Sequence, residues 1–326
     1  MGHIGLCIGI EIELLVELKN PLPRRGHHGR GTSDNSAVYY ALQRWLVQTG
    51  VQAVVKTDGN MSSDTSRWTI QGDYSLSEKK NCYGIELASR IFHTNEDWDE
   101  EVGHVWSVLT RRFEIKSDES CGTHVHISVQ DGEDAKHSPT IYDLDQLRRI
   151  SKSVVIYEDA VTQLVPEDRK SCHYCTSNVR VPNTLLNDKY TLQLDHATSE
   201  IFEWINGFKE EPTVMSNMSP VSRHAPQHEE APGFGGRYVS WNFTSLSKQG
   251  TIEFRRAPKS VSKEDTWAWA GFALCFVANA IRCESPENLN WQPASLSELK
   301  RAIMKGGTQV NLPTSLTEIL KDLYST

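Results

Sequence analysis

The sequence predicts an α+β fold in which helices pack on a sheet of antiparallel strands. Five short segments alternate polar and apolar residues with a period of two, as half-buried strands do. Four longer segments carry apolar residues at helical spacing. The chain has 326 residues, and it shows neither an internal repeat nor a convincing domain boundary. We therefore expect a single domain over residues 1–326.

The predicted helices account for much of the chain outside the strands. They cover residues 34–49, 96–113, 142–164 and 264–283. The first follows the cap-type residues Ser33 and Asp34, and the last is apolar nearly all round, which indicates burial. Capping boxes at Ser295–Glu298 and Ser315–Glu318 predict two more helices. The chain is therefore expected to be helical from about residue 264.

Three segments are predicted loops because turn-forming and polar residues dominate them. They are residues 19–33, 56–67 and 212–236. The last is long enough to act as a lid over a site, and a surface insertion is the alternative.

Composition excludes some classes of partner. Lys and Arg number 34 and Asp and Glu 42, which gives a formal net charge of −8. This balance argues against binding to nucleic acid or to an anionic membrane, because both need basic patches. The acidic N-terminal segment lacks the features of a signal peptide. The apolar stretch 267–281 has about 15 residues, fewer than a membrane span needs.

The seven cysteines suggest thiols in a reducing compartment. Their number is odd and they are scattered over the chain, unlike the framework of a disulfide-rich secreted domain. Cys172 and Cys175 form a CxxC motif that lacks a second half at zinc-site spacing. We expect ordinary thiols there and a cytoplasmic location.

The polar faces of the five predicted strands are unusual. Their residues are Gly9, Glu11 and Glu13; Glu86 and Ala88; His124, His126 and Ser128; Ser240, Asn242 and Thr244; and Thr251, Glu253 and Arg255. A face that simply meets water, which is the alternative, would carry mostly Lys, Thr, Ser and Gln. Carboxylates gathered on one face repel each other unless something positive lies between them. The pattern therefore predicts a metal site.

The ligand types indicate which metal this site would hold. Hard carboxylate oxygens dominate, from Glu11, Glu13, Glu86, Glu253 and Asp73. One or two imidazoles, from His124 and His126, could join them. Such a set suits Mg²⁺ or Mn²⁺ better than zinc or copper, and a magnesium site that keeps waters usually serves substrate phosphates.

Arginines would then have to hold phosphate groups, because no GxxxxGK[ST] loop is present and the glycines near residue 26 lack the dinucleotide spacing. Arg255, beside Glu253, could offset charge on a transferring phosphoryl group or pair with a glutamate. Candidates for nucleotide contacts are Arg169, Arg180, Arg237 and Asn242. Each of these arginines could equally be a solvated surface charge.

Five motifs occur in an order that resembles the amidoligase family of the carboxylate–amine ligase superfamily, which includes glutamine synthetase and glutamate–cysteine ligase. They are GIEIE at 9–13, WTIQGDYSL at 68–76, GIELAS at 84–89, CGTHVHIS at 121–128 and TIEFR at 251–255. The resemblance covers roughly residues 5–260. It implies a glutamine-synthetase-like catalytic fold, with a curved antiparallel sheet forming a partial barrel and helices on its outer face. It also implies ATP with two or three magnesium ions.

The resemblance also assigns roles to matching residues. It implies that Glu11 and Glu13 hold different metal ions. Glu86 and Asp73 would be further ligands in this family pattern.

The remaining roles concern the metal nearer the nucleotide phosphates. The resemblance implies that His124 and Glu253 bind this ion and that Arg255 steadies the transferring phosphoryl group. His126 stands where glutamine synthetase typically has Asn, so its role stays open, and we group it with Glu253 and Arg255 as candidate catalytic residues.

The resemblance implies a ligase that joins a small carboxylate substrate to an amine through an acyl phosphate. One alternative is a cupin-like enzyme that uses His124 and His126 on iron or zinc. Against it, Glu133 lies seven positions after His126, too far for the usual cupin spacing. The other alternative is a non-catalytic relative that binds nucleotide. The sequence predicts neither the substrates nor the oligomeric state.

Overall fold

A computed structural model of the protein describes residues 5–22, 35–56, 65–73, 75–77, 79–129, 142–196, 200–225, 232–282 and 293–323. The predicted caps Ser33 and Asp34 and the residue Glu133 lie outside these ranges. So do the parts 23–33, 57–64 and 226–231 of the predicted loops.

One mixed sheet contains the nine strands of the described residues. They are β1 (Leu6–Leu18), β2 (Ala53–Val55), β3 (Trp68–Gln71), β4 (Tyr83–Ala88), β5 (Phe92–His93), β6 (Phe113–Ile115), β7 (Gly122–Val129), β8 (Trp241–Asn242) and β9 (Ile252–Pro258). The order is β2-β3-β4-β1-β7-β9-β8, and β5 and β6 pair with the two ends of β1.

The sheet confirms the α+β class and corrects one detail of it. Strands β2 and β3 pair in parallel, whereas every other pair is antiparallel. The prediction of a wholly antiparallel sheet was therefore wrong at this edge. Within the described residues the strand path runs from β2 to β8 without closing on itself. The partial barrel remains a prediction.

Twelve α-helices accompany the sheet in the described part of the chain. They are α1 (Ser36–Gln48), α2 (Trp98–Arg112), α3 (Leu144–Ile156), α4 (Glu158–Leu164), α5 (Glu167–Lys170), α6 (Leu185–His196), α7 (Glu200–Asn206), α8 (Glu211–Met218), α9 (Leu246–Gln249), α10 (Lys263–Arg282), α11 (Leu296–Gln309) and α12 (Thr314–Leu323). None of these helices is both long and apolar enough to cross a membrane.

The helices depart from prediction at several places, and α5, α6, α7 and α9 were not predicted at all. The predicted helix 142–164 is two helices, α3 and α4, with Tyr157 between them. The capping box at Ser295 is confirmed. The one at Ser315 is wrong, because the Thr317 amide already bonds to the Pro313 carbonyl at 3.0 Å and the helix begins at Thr314. The predicted loop 212–236 is helical in its first part, where α8 lies.

The apolar face of the sheet forms the core. In β1 the residues Ile8, Ile10, Ile12 and Leu14 are buried, and each contributes about 1.5–3 kcal/mol by leaving water. Helix α10 packs against β1 and β7 on this face and is buried along most of its length. With the helix layer on this side, the opposite face of β1 is the one that carries its acidic residues.

Aromatic contacts attach the last two strands to the same helix. The rings of Trp241 in β8 and Phe276 in α10 stack with centroids 4.5 Å apart. Phe254 in β9 lies 5.3 Å from Phe272, one turn earlier in α10. These contacts fix the alternation of β8 and β9, so that Asn242, Glu253 and Arg255 point to the other face.

Candidate active site

Strand register brings the acidic and imidazole side chains together. Glu13 lies opposite Glu86 in the β1–β4 pair, and Glu11 lies opposite His124 in the β1–β7 pair. His126 lies opposite Glu253 in the β7–β9 pair. Directly opposed residues have Cβ atoms about 5 Å apart, so side chains distant in sequence become neighbours on one face.

A cavity of about 350 Å³ opens over this face. Its lining includes nearly all of the predicted site residues: Glu11, Glu13, Asp73, Glu86, His124, His126, Arg169, Arg237, Asn242, Glu253 and Arg255. Arg180 does not line it. The Arg180 guanidinium is half-exposed and bonds to the Asp159 carboxylate at 2.6 Å, so the structure does not support a nucleotide contact by this residue.

Potential ligand atoms gather in two groups within the cavity. Glu11, His126 and Glu253 each offer one such atom, and these atoms lie within 4.8 Å of one another. The second group consists of one atom each from Glu13, Asp73 and Glu86, and these atoms also lie within 4.8 Å of one another. Each group has the size and donor types of a site for a hard divalent cation.

His124 lies between the two groups. Its Nδ1 is 3.3 Å from Glu11 Oε2 and 3.7 Å from Glu253 Oε1, and its Nε2 is 3.7 Å from Glu13 Oε1. His126, whose role the sequence left open, contributes its nitrogen to the first group of ligand atoms. Its Nε2 is 3.3 Å from Glu11 Oε1, while its Nδ1 is 3.0 Å from the Thr251 hydroxyl.

Charges in the first group compensate each other. Burial raises the pKa of Glu253, but the neighbouring Arg255 guanidinium and His126 more than reverse this and lower it to about 2. For His126, burial opposes the charged form, and the carboxylates of Glu11 and Glu253 outweigh it, so that its pKa rises to about 9. Burial likewise acts against ionisation of Glu11, yet the two histidines hold its pKa well below the usual value.

In the second group such compensation is weaker, since His124 and Arg255 act on Glu13 but do not outweigh its burial. Burial, and then repulsion from Glu11, Asp73 and Glu13, raise the pKa of Glu86 to about 8. The pKa of Glu13 is also raised, mainly by burial. Glu86, whose carboxyl holds a proton near neutral pH because of burial and neighbouring carboxylates, is in a position where a cation would replace that proton.

Arg255 is held by both its side chain and its backbone. Its Nη1 donates a 2.5 Å hydrogen bond to Glu253 Oε1, which is the glutamate pairing that the sequence allowed. The Arg255 carbonyl accepts a 2.6 Å bond from Nη2 of Arg169, a residue of the short helix α5. Within the described residues, the buried Arg255 Nε, Arg169 Nε and His126 Nε2 have no hydrogen-bond partner. Buried nitrogens without a hydrogen-bond partner are uncommon, and here they fit a site that receives an anionic ligand at the arginines and a metal ion at the histidine.

Asn242 is hydrogen-bonded to the Glu253 carboxylate and holds it in place. Its amide nitrogen donates to Glu253 Oε2 at 2.7 Å and its amide oxygen accepts from the Thr244 backbone at 2.9 Å. The Ser245 hydroxyl donates to the same Glu253 oxygen at 3.1 Å. The amide of Asn242 is therefore engaged in orienting a carboxylate.

Several residues that support the acidic side chains or line the cavity were not predicted from the sequence. Gln71 donates a 2.5 Å bond to Glu86 Oε1, and the Gly122 amide donates a 2.6 Å bond to Glu13 Oε2. Both residues belong to family motifs, at 68–76 and 121–128, but only the strand pairing shows what they bind. Tyr174, Tyr238 and Lys248 also line the cavity, and they come from loops and a short helix that carry no sequence signal of their own.

A family profile described as "putative amidoligase enzyme" matches residues 5–277. The chain therefore belongs to this family, as its motifs predicted. A search of curated proteins finds no match. One similar solved structure is described as "Crystal structure of novel glutamine synthase homolog", with 13% sequence identity and a TM-score of 0.34. The similarity covers 98% of this chain and 65% of that one, so this chain spans about two thirds of that protein's length.

Proposed function

We propose that this protein is an ATP- and Mg²⁺-dependent carboxylate–amine ligase, with a glutamine-synthetase-like fold, that makes an amide bond through an acyl phosphate. Mn²⁺ would serve in place of Mg²⁺. The observation that carries the proposal is the presence of two groups of three ligand atoms, side by side in one cavity, in a member of the amidoligase family.

The residues of the cavity fit hard divalent cations. Five of the six ligand atoms in the two groups are carboxylate oxygens, which Mg²⁺ prefers, and one is an imidazole nitrogen. The raised pKa of Glu86 reflects negative charge that nothing nearby compensates, and a bound cation would compensate it. His126 Nε2 is buried without a hydrogen bond, so it is available to act as a metal ligand. When bound, the metal ions would neutralise the phosphate oxygens of ATP and the acceptor carboxylate.

The cationic side chains of the cavity would hold the anionic reactants. Arg255 contacts Glu253 of the first ligand group, and its charge would offset negative charge on a phosphoryl group in transfer. Arg169 is buried in the wall, and Arg237 and Lys248 are exposed at the mouth. In this proposal the buried arginines act on the reacting groups, and the exposed cations contact the nucleotide.

Phosphorylation makes a carboxylate reactive toward an amine, because phosphate is a good leaving group and a carboxylate oxygen is not. The protein has to align the reactants and exclude water from the acyl phosphate. A cavity of about 350 Å³ suits small carboxylate and amine substrates. A cytoplasmic location, a single catalytic domain and a lid from residues 212–236 remain predictions.

Substrate-dependent ADP release tests the proposal. The protein is incubated with ATP, Mg²⁺ and pools of amino acids and amines, and new amides are sought by mass spectrometry. ADP release that needs both an acid and an amine is the expected result. Glu253→Gln should abolish it, whereas Glu167→Gln, whose carboxylate is 87% exposed on the surface, should not.

Two experimental outcomes would contradict the proposal, and each would favour one of the alternatives. Purified protein that holds stoichiometric iron or zinc and binds no ATP would favour the cupin-like alternative. Calorimetry that detects ATP binding, with no ADP formed from any mixture, would favour a non-catalytic nucleotide-binding relative.

A further inference from the structure

The CxxC motif at Cys172 and Cys175 lies in the wall of the cavity. It follows α5 in the chain, and its two cysteines stand in one turn, because the Cys175 amide donates to the Cys172 carbonyl at 3.4 Å. Cys172 is half-buried and lines the cavity, whereas Cys175 is 1% exposed. The Cys175 Sγ lies 3.9 Å from the Arg169 carbonyl, and the two cysteine side chains are close enough to interact with each other.

The two thiols have opposite acidities. The hydrogen bond from Cys175 is the largest cause that lowers the pKa of Cys172 to about 5, against the effect of burial, and the Arg169 guanidinium adds to it. The same hydrogen bond and burial raise the pKa of Cys175 well above the ordinary value. The pair therefore consists of an accessible thiolate and a protected thiol, which is the division found in thiol–disulfide exchange motifs.

The other cysteines of the described residues lack this chemistry. Burial raises the pKa of Cys7 to about 11, and it also raises the pKa of Cys121 and Cys275. Cys82 is half-exposed like Cys172, yet its pKa is raised as well. Cys82 is therefore a natural internal control of similar exposure.

Hydrogen bonds and a ring contact join the CxxC turn to the segment around Gly233 and Tyr238. The Gly233 amide donates to the His173 carbonyl at 2.7 Å, and the Thr176 amide donates to the Tyr238 carbonyl at 2.9 Å. The rings of Tyr174 and Tyr238 meet edge to face with centroids 5.7 Å apart. Through Arg169, whose carbonyl lies 3.9 Å from Cys175 Sγ, the turn also reaches Arg255.

We propose that Cys172 and Cys175 are a redox-active dithiol, a modification site that low-molecular-weight disulfides convert to an intramolecular disulfide. The Cys172 thiolate attacks one sulfur of the disulfide RSSR, forms a mixed disulfide and releases RS⁻. Cys175 then gives its proton to solvent, attacks the Cys172 sulfur and releases the second RS⁻. The dithiol loses two electrons and two protons, and RSSR becomes two RSH.

Oxidation would change the cavity electrostatically. It removes the thiolate that faces the Arg169 guanidinium, and Arg169 in turn holds the backbone of Arg255. The redox state of the two cysteines would therefore affect the electrostatic environment of Arg169 and, through it, of Arg255.

The test uses the full chain without ligands, so its result does not depend on the proposed ligase function. The protein is equilibrated with oxidised glutathione, and its free thiols are then blocked. The masses of the tryptic peptides are measured by mass spectrometry. Residues 171–180 form one peptide with both cysteines, and residues 81–90 form another with Cys82 alone. The expected result is loss of two hydrogens from the first peptide, reversed by dithiothreitol, with Cys82 still a thiol. A first peptide that stays reduced would overturn the proposal.

Two measurements separate the roles of the cysteines. Iodoacetamide at pH 6 should alkylate Cys172 about tenfold faster than Cys82, because the larger thiolate fraction outweighs the lower nucleophilicity of an acidic thiol. Cys175→Ser should trap glutathione on Cys172, and Cys172→Ser should leave Cys175 unmodified. Equal alkylation rates, or no trapped adduct in a Cys175→Ser protein with wild-type circular dichroism, would contradict the assignment.

Discussion

Glu11 and His124 are direct partners in the register of β1 and β7, and the Oε2 and Nδ1 atoms of their side chains lie 3.3 Å apart. Since 113 positions separate them in sequence, only the pairing of two central strands brings them together. Both strands are buried on their other face by α10. The core packing thus fixes the site before any ligand binds, which is the preorganisation that catalysis by charge stabilisation needs.

Glu86 predicts a pH dependence of stability in the absence of divalent cations. Its pKa in the folded protein, about 8, lies above the ordinary 4.5. Between these values the folded state binds more protons than the unfolded state, so the free energy of unfolding should fall as pH rises from about 4.5 to 8. His126, whose pKa is raised from 6.5 to about 9, should act in the same direction at the upper end.

Urea unfolding at several pH values in EDTA tests this prediction. Glu86→Gln should remove part of the decline and stabilise the protein most near pH 8. Glu114→Gln, a change at an exposed carboxylate outside the cavity, should leave the decline unchanged. If the free energy of unfolding of Glu86→Gln fell with pH as steeply as that of the wild type, the Glu86 carboxyl would be ionised over this whole pH range in the folded protein.

Mg²⁺ should bind with release of protons at pH 7. The cause is that Glu86 and His126, both mostly protonated there without metal, have to lose protons in order to act as ligands. Calorimetry in two buffers of different ionisation enthalpy measures the number of protons released. That number should fall as the pH is raised above 8, and a buffer-independent heat at pH 7 would be contrary to expectation.

Gly122 should be intolerant of a side chain. A Cβ at this position would lie 3.1 Å from Arg169 Nη2 and 3.2 Å from Glu13 Oε2, which is tighter than ordinary contact. We expect Gly122→Ala to cost about 1–3 kcal/mol of stability by overpacking and to weaken Mn²⁺ binding. Gly9→Ala, on the same face, meets its nearest atom at 3.6 Å and should change stability by less than about 1 kcal/mol. Thermal unfolding and Mn²⁺ titration compare the two variants.

Arg255→Lys should reduce the proposed ligase turnover by about 100-fold, because a lysine keeps the charge but not the planar guanidinium geometry. Arg180→Lys is the matched control, since Arg180 does not line the cavity. Steady-state ADP release gives the rates, and circular dichroism checks the fold. Similar rates for the two variants would remove Arg255 from the proposed mechanism.

A buried ion pair outside the site should dominate local stability. Arg256 Nη1 lies 2.7 Å from Glu158 Oε1, and both side chains are 1% exposed. Breaking the pair by Arg256→Met should cost about 3–5 kcal/mol because it leaves a buried charge alone. Urea unfolding measures this cost, and adding Glu158→Leu in the same chain should recover much of it. A double variant as unstable as the single one would mean that packing, rather than charge, sets the cost.

The alternation of residues in single strands was enough to predict much of this molecule. It assigned the correct polar faces to β1, β4, β7 and β9, because a period of two is a local property of extended chain. It overestimated the strand around Trp241, which β8 limits to two residues. It also gave no means of separating Arg180, which pairs with Asp159, from Arg169, which lies in the cavity wall.

The sequence by itself determined three features of this protein. They are the acidic faces of the strands, the periodicity of the helices and the order of the motifs that identifies the family. Which carboxylates share a ligand group was decided by tertiary structure, because strand register is set by long-range pairing rather than by local composition. The same holds for the CxxC motif. Only the fold places Cys172 beside the Arg169 guanidinium and buries Cys175, and these surroundings give the two thiols their different acidities.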